Sequence, residues 1–226
     1  MSAGDARSRK RAPGAAYDPR MAERPDPNDH PPRRSFIERA RRAQIVEAAT
    51  QVVAELGYAG TSLARIAEKA EISKSVITYH FENKDEILRL VVSQFFERGW
   101  ERMSGHVEAE STASGQVRAW IGSQLEFYAE HRAEFLAMSQ IMANHRTPEG
   151  SPAFAGELTE EVDALTEILQ RGQRDGEFRD FDARGVATII LRCADGVLGS
   201  WAVDDSTRLV DQIPALLDFV DHAIRR

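Results

Sequence analysis

The chain has 226 residues, enough for one large or two small domains around a sizeable core, and carries a net charge of -7. Its single cysteine, Cys193, excludes an intrachain disulfide framework and suits a reducing compartment. No apolar run approaches the roughly 18 residues that span a bilayer, and the opening MSAGDARSRKRAPG lacks the apolar stretch of a secretion signal, so the expectation is a cytoplasmic protein without a membrane partner.

The charge is unevenly spread. Residues 1–100 hold 17 Lys/Arg against 14 Asp/Glu, whereas 101–226 hold 12 against 22. A basic front half and an acidic back half fit a nucleic-acid reader joined to a regulatory part. In chain order, residues 1–35 contain six of the nine prolines and almost no aliphatic side chains, which predicts a disordered basic, Pro-rich arm. A first helix is expected over Phe36–Leu56, with Ile45, Ala48, Ala49, Val52 and Leu56 on one face and Gly57 and Gly60 ending it. Arg33, Arg34, Arg39, Arg41 and Arg42 lie before and within its start, where they form either a phosphate-contacting set or a solvated basic face.

The run from 61 to 88, TSLARIAEKAEISKSVITYHFENKDEIL, reads as two short helices, a tight turn between them, and a capped third helix. Leu63, Ile66, Ala67 and Ala70 fall at i, i+3, i+4 and i+7, with Thr61 and Ser62 as N-caps. Glu71 and Ile72 fit the turn. Ser73 caps a second helix over Lys74–His80, whose Val76 and Ile77 pack inward while Lys74, Ser75, Thr78 and Tyr79 stay free, the arrangement of a major-groove reader. Asn83 caps the next helix with Glu86 at N3, and Lys84 beside the exposed N–H groups makes an anion site.

Beyond residue 84 every long segment reads as helix, over about 84–105, 114–130, 132–145, 153–174, 183–203 and 207–224, with Pro214 kinking or restarting the last. Flexible and aromatic side chains concentrate in these helices: Phe95, Trp100, Met103, Trp120, Phe127, Met138, Met142 and Trp201, either core filling or the lining of an apolar pocket. His145 and Tyr128 are candidate polar anchors there. Without a basic cluster in this acidic half, the expected ligand is a small apolar molecule, neutral or cationic. The last two helices carry more apolar surface than one bundle face uses, which points to a partner, with Gly199, Leu216, Leu217 and Val220 as interface candidates.

No GxSxG, GxGxxG, P-loop or HExxH pattern occurs, and the six histidines are dispersed, so neither an enzyme, a metal nor a cofactor is expected. Cys193 sits in an apolar helix as a small packing residue.

The run from Ala43 to Leu90 resembles the N-terminal domain of TetR-type transcriptional regulators: Leu56-Gly57-Tyr58 ends the first helix, Thr61-Ser62 opens the second, Ile72-Ser73-Lys74 makes the turn, Tyr79-His80-Phe81 ends the third and Lys84-Asp85-Glu86 opens the fourth. Two positions depart from the usual pattern, Glu71 in place of a turn glycine and Thr78 in place of a tyrosine, which moves the aromatic phosphate contact to Tyr79. The resemblance implies an all-α chain, with a three-helix helix-turn-helix domain over 36–83 and a six-helix ligand-binding and dimerisation domain over 84–226 that pairs through its last two helices. The DNA-contact set becomes Arg42, Thr61, Ser62, Ser73, Lys74, Ser75, Thr78, Tyr79, His80 and Lys84. The implied function is a ligand-responsive repressor that binds a palindromic double-stranded DNA operator as a homodimer. The alternative is an all-α enzyme or adaptor that keeps the helix-turn-helix for packing alone.

Overall fold

The computed structural model describes residues 33–204, 206 and 208–226. The predicted arm lies outside the described residues apart from its last three positions, which already belong to the first helix. Nine helices run through the described part: α1 (Arg33–Gly60), α2 (Leu63–Lys69), α3 (Lys74–His80), α4 (Lys84–Ala109), α5 (Ala113–Glu130), α6 (Arg132–Asn144), α7 (Ala155–Arg174), α8 (Ala183–Val203) and α9 (Leu209–Ile224). α3 and α8 have the predicted limits. α4 runs about one turn further than its periodicity implied, and α9 passes through Pro214 without a break.

Local chemistry accounts for the starts and stops in the front third. Helix α1 bends at Gly57, whose φ of 72° and ψ of 171° suit glycine almost alone. Ser62 accepts from the Arg65 N–H to open α2. α2 closes with Glu71 N–H on Glu68 O at 3.1 Å and Ile72 N–H on Ala67 O at 3.0 Å, a Schellman pair. Glu71 sits at φ 54°, so the turn keeps its left-handed geometry with a glutamate in the glycine position. Asn83 accepts from the Glu86 N–H at 2.9 Å, and the Glu86 carboxylate reaches back to the Glu82 N–H at 2.9 Å, one residue short of the expected reciprocal bond.

The front helices do not form an island. α1 lies along α6 as well as α2 and α4, and α4 packs on both α1 and α5. Ile45, Ala49, Val53, Ile66, Ile77, Leu88 and Val92 therefore share one continuous core with Leu125, Ile141 and Leu165. The N-terminus of α5 is held across the body, with Glu177 accepting from the Ala113 and Ser114 N–H groups at 2.9 Å each.

Helix α8 is long and apolar enough by length and composition to cross a membrane, which corrects the expectation that no such segment exists. In this fold Ala187, Ile190, Leu191, Ala194, Leu198 and Trp201 turn inward onto α5, α7 and α9. A second stripe, Ile189, Arg192, Gly196, Gly199 and Val203, faces out. Ile189 is 58% and Val203 89% exposed, and an added Cβ at Gly196 or Gly199 would meet open space.

Candidate functional site

The seven residues of α3 are too few to hold a helix by themselves. Ile77, fully buried, pins the helix to the core, and Val76 is half-buried beside it. Arg42, reaching from α1, donates to the His80 carbonyl, stacks over the Phe81 ring at 4.1 Å and pairs with Glu86 at 2.8 Å. The guanidinium, helped by the Glu82 N–H, holds the Glu86 carboxyl below its usual range. Gln44, also from α1, donates to the Ala70 carbonyl at 2.9 Å and secures the end of α2. Three residues of α1 and α4 thus fix the angle between α2 and α3.

What remains is one polar, exposed face. Lys74, Ser75 and Thr78 are solvent-facing, and Tyr79 is 78% exposed. Ser73 and Ser75 share a hydroxyl contact at 2.8 Å, and Thr78 donates to the Ser75 carbonyl at 3.1 Å, so both hydroxyls are oriented by the helix itself. Ser62 stands exposed at the start of α2.

Four predicted contact residues are placed differently. Thr61 is 4% exposed and donates to the Gly57 carbonyl at 2.8 Å, because its hydroxyl serves the turn that follows α1. Arg42 serves the ties described above. His80 is half-buried with its Nδ1 enclosed and its ring against Tyr79 at 5.0 Å. Lys84 donates to the Thr61 carbonyl at 3.3 Å and lies over the Tyr58 ring at 5.0 Å, so its ammonium stands at the edge of the reader already engaged. Gln44 was missed in the sequence. Its role depends on α1 crossing the end of α2, for which a lone glutamine carries no signal.

The predicted ligand wall is a packed aromatic chain. Phe95 meets Phe127 and Tyr128 at 5.2 Å each, Tyr128 stacks on Phe135 at 5.2 Å, and Phe135 meets Trp201 at 5.6 Å. Met103, Trp120 and Met138 are buried, Met142 is half-buried, and Trp100 lies 43% exposed against Trp120. These side chains pack on one another among α4, α5, α6 and α8, and Trp201 at the end of the row also borders a cleft. Two clefts occur among the described residues, one of them at the Trp201 end of this aromatic row. One, between α1, α4 and α6, is bordered by Gln44, Glu47, Gln94, Arg98 and Glu134. The other, at the α8–α9 end, is bordered by Glu130, Arg132, Trp201 and Leu209.

The polar side of the aromatic chain is Gln124, which donates to Glu161 at 2.8 Å and to the Tyr128 hydroxyl at 3.3 Å. Burial pushes both the Glu161 carboxyl and the Tyr128 phenol above their usual values. His145 does not reach this cluster; its Nδ1 meets the Tyr58 hydroxyl at 3.0 Å. Of the interface candidates, Leu216 and Val220 are 6% and 1% exposed and face the protomer's own core, a correction, while Leu217 is half-buried at its edge and Gly199 is exposed. Phe219, 57% exposed, was not singled out in the sequence because it falls off the apolar stripe.

A short exposed helix held at a fixed angle to its neighbour, at one end of an all-helical body, defines a helix-turn-helix DNA-binding protein. Residues 45–91 match the family of bacterial regulatory proteins called the tetR family. The chain is 25% identical over 164 residues to the fatty acid metabolism regulator protein of Bacillus subtilis, covering 72% of this chain and 84% of that one. It is 27% identical over 192 residues to the HTH-type transcriptional repressor Rv1474c of Mycobacterium tuberculosis, covering 83% and 94%. A solved structure of the regulator FadR from Bacillus subtilis, in complex with stearoyl-CoA, superimposes with a TM-score of 0.69 at 24% identity, covering 79% of this chain and 96% of that one. Residues 45–91 are thus a DNA-binding domain of the tetR-family type, and the chain is a DNA-binding transcriptional regulator similar to these proteins.

Proposed function

We propose that the protein is a homodimeric, effector-responsive repressor that acts in the cytoplasm on a palindromic operator. The observation that carries this reading is the free face of α3: Lys74, Ser75, Thr78 and Tyr79 are exposed on a helix whose other face is anchored. Lys74, Ser75 and Thr78 read base edges, and Tyr79, Ser62, Ser73 and Lys84 contact the backbone. Arg42 and His80 act through the position of α3, and Thr61 through the backbone turn.

In this reading residues 36–83 form the reader and 84–226 the regulatory and pairing domain, with the first turns of α4 shared between them. The pairing surface is the outer stripe of α8 through Gly196 and Gly199, flanked by Ile189, Val203, Leu217 and Phe219. Two glycines open to solvent let a second helix approach closely, and the apolar neighbours supply burial.

The effector is a small apolar molecule, neutral or cationic, that enters the aromatic chain of α4–α8. The packed state and a ligand-opened state then differ in the angle of α4 and α6 beneath the reader, and the ligand shifts the balance by its differential affinity. The half-buried Glu161 carboxyl, bonded to Gln124 beside Tyr128, disfavours an anion in that space.

The test begins with duplexes selected from a random pool by the purified protein. Tyr79→Ala is expected to weaken binding to every duplex, whereas Lys74→Ala or Thr78→Ala changes preference at single positions. Lys84→Ala should lower the slope of log affinity against log salt by about one. Release of the selected duplex is then followed with lipophilic cations, neutral hydrophobes and acyl-CoA thioesters. Release by the thioesters alone overturns the charge argument, and release by none overturns the effector reading.

A further inference from the structure

The end of α6 is tied to the turn that precedes the reader by one hydrogen bond between residues far apart in the chain. The Tyr58 hydroxyl and His145 Nδ1 lie 3.0 Å apart across 87 residues of sequence, and the rings tilt together at 6.1 Å. His145 is the C-cap residue of α6 and is 2% exposed, with its ring against Phe154 just ahead of α7 at 5.9 Å. Its other nitrogen, Nε2, is enclosed without a hydrogen-bond partner. On the opposite side, Tyr58 follows the Gly57 bend, and this end of α1 packs along α6. The Tyr58 ring carries the Lys84 ammonium on its face at 5.0 Å, and that ammonium also holds the Thr61 carbonyl.

We propose that Tyr58 and His145 form a latch that positions the reader for DNA, with neutral His145 as the positioning residue through which the α6–α7 corner sets the place of Lys84 and of the α1–α2 turn. The proposal rests on the reading of Lys84 as a backbone contact. Displacing the His145 ring removes the partner that fixes the Tyr58 ring, and the Tyr58 ring is the seat of Lys84. The regulatory half thereby reaches the DNA-facing edge without passing through α3, and the Gly57 bend is where the movement is absorbed.

The same geometry makes the latch sensitive to protons. A charged imidazole carries two N–H groups, and only Nδ1 has a partner here. The groups around the ring are Tyr58 from α1, Lys84, Asp85 and Arg89 from α4, and Arg146 beside it. Burial first, with Arg89, Lys84 and Arg146 adding to it and Asp85 opposing, holds His145 below its ordinary value. The open latch therefore takes up a proton more readily than the closed one. Latch closure is complete above the ordinary histidine value, near pH 6.5, and is lost as pH falls from there toward the depressed value of the closed state.

The experiment compares wild-type protein with Tyr58→Phe, His145→Phe and His145→Asn on a duplex selected from a random pool by the wild type. Tyr58→Phe and His145→Phe keep the rings but break the bond, and His145→Asn keeps a hydrogen-bonding group near the Nδ1 position without a titration. Duplex affinity is expected to fall about five- to tenfold in each Phe variant, by no more in the Tyr58→Phe/His145→Phe pair than in either alone, and to recover largely in His145→Asn. Between pH 7.5 and 5.5 the wild type should lose affinity by a larger factor than any of the three variants. Affinity and pH profile unchanged in both Phe variants overturn the latch. So does equal loss in all three with a matching fall in melting temperature, since that outcome describes a packing contact only. Lys84→Ala on the same duplex separates the readings: no effect there removes the backbone-contact role, whereas a normal Lys84→Ala loss beside silent Tyr58→Phe removes the latch alone.

Discussion

The reader's two short helices need polar ties at their ends beside the buried Ile66 and Ile77, whereas the body behind them is held chiefly by apolar contact. α2 and α3 have seven residues each and depend on Ser62, Gln44, Arg42 and a Schellman turn for their limits and angle. α4, α5, α7 and α8 run 18–26 residues and are placed by rings and aliphatic side chains that meet across the core. The difference follows from nucleation: a two-turn helix has few internal bonds to offset its ordering, so each orphan group at its ends matters. A long helix tolerates loose ends but is sensitive to the shape of its buried face. Substitutions should therefore behave differently in the two regions.

The largest effect is expected in the body. Val220→Asp places a charge at a site 1% exposed and should lower stability by at least about 3 kcal/mol, seen as loss of the cooperative melt. Phe219→Asp, at a site 57% exposed on the outer side of the same helix, should leave the melt in place and shift light scattering toward the monomer. A Val220→Asp protein that folds but dissociates would make the inner stripe of α9 an interface and erase the distinction drawn above.

An intermediate effect tests whether polar ties matter in the body as well. Glu177→Ala removes two bonds to N–H groups at the start of α5, and the expected loss is about 2 kcal/mol in denaturant unfolding. A loss under about 0.5 kcal/mol would mean that apolar packing alone sets that helix end.

The smallest effect is expected at the reader's turn, with the opposite sign. Glu71→Gly relieves a side chain held at φ 54° and should raise the melting midpoint by an amount equivalent to about 1 kcal/mol. Duplex affinity should be unchanged, because the turn already has the required geometry. Reduced affinity would show that the Glu71 side chain, and not only its backbone, serves the reader.

Much of the layout was legible in the sequence because it rests on local rules. The limits of α3 and α8, the inward turn of Ile66, Ala67 and Ile77, and the caps Ser62 and Asn83 follow from periodicity and from which side chains satisfy exposed N–H groups. Exposure of Lys74, Ser75, Thr78 and Tyr79 follows in the same way, since a seven-residue helix anchored by Ile77 has only one other face.

The placements that differed each depend on two segments meeting. Arg42 and Lys84 read as free cations until α1 meets the end of α3 and the Tyr58 ring meets the start of α4. Leu216 and Val220 belong to an apolar stripe in either reading, and only the docking of α9 on α5 turns that stripe inward. The aromatic residues of α4–α6 are the same side chains whether they line a cavity or fill it, and the spacing between their rings is not written in the sequence. His145 shows no pattern with Tyr58 across 87 positions. Sequence by itself determined the limits of α3 and α8, the caps Ser62 and Asn83 and the free face of α3, because those are energies within a turn or two. Tertiary structure decided which charges stay free, which stripe is core and which residue joins the two halves, because those are energies of contact between distant segments.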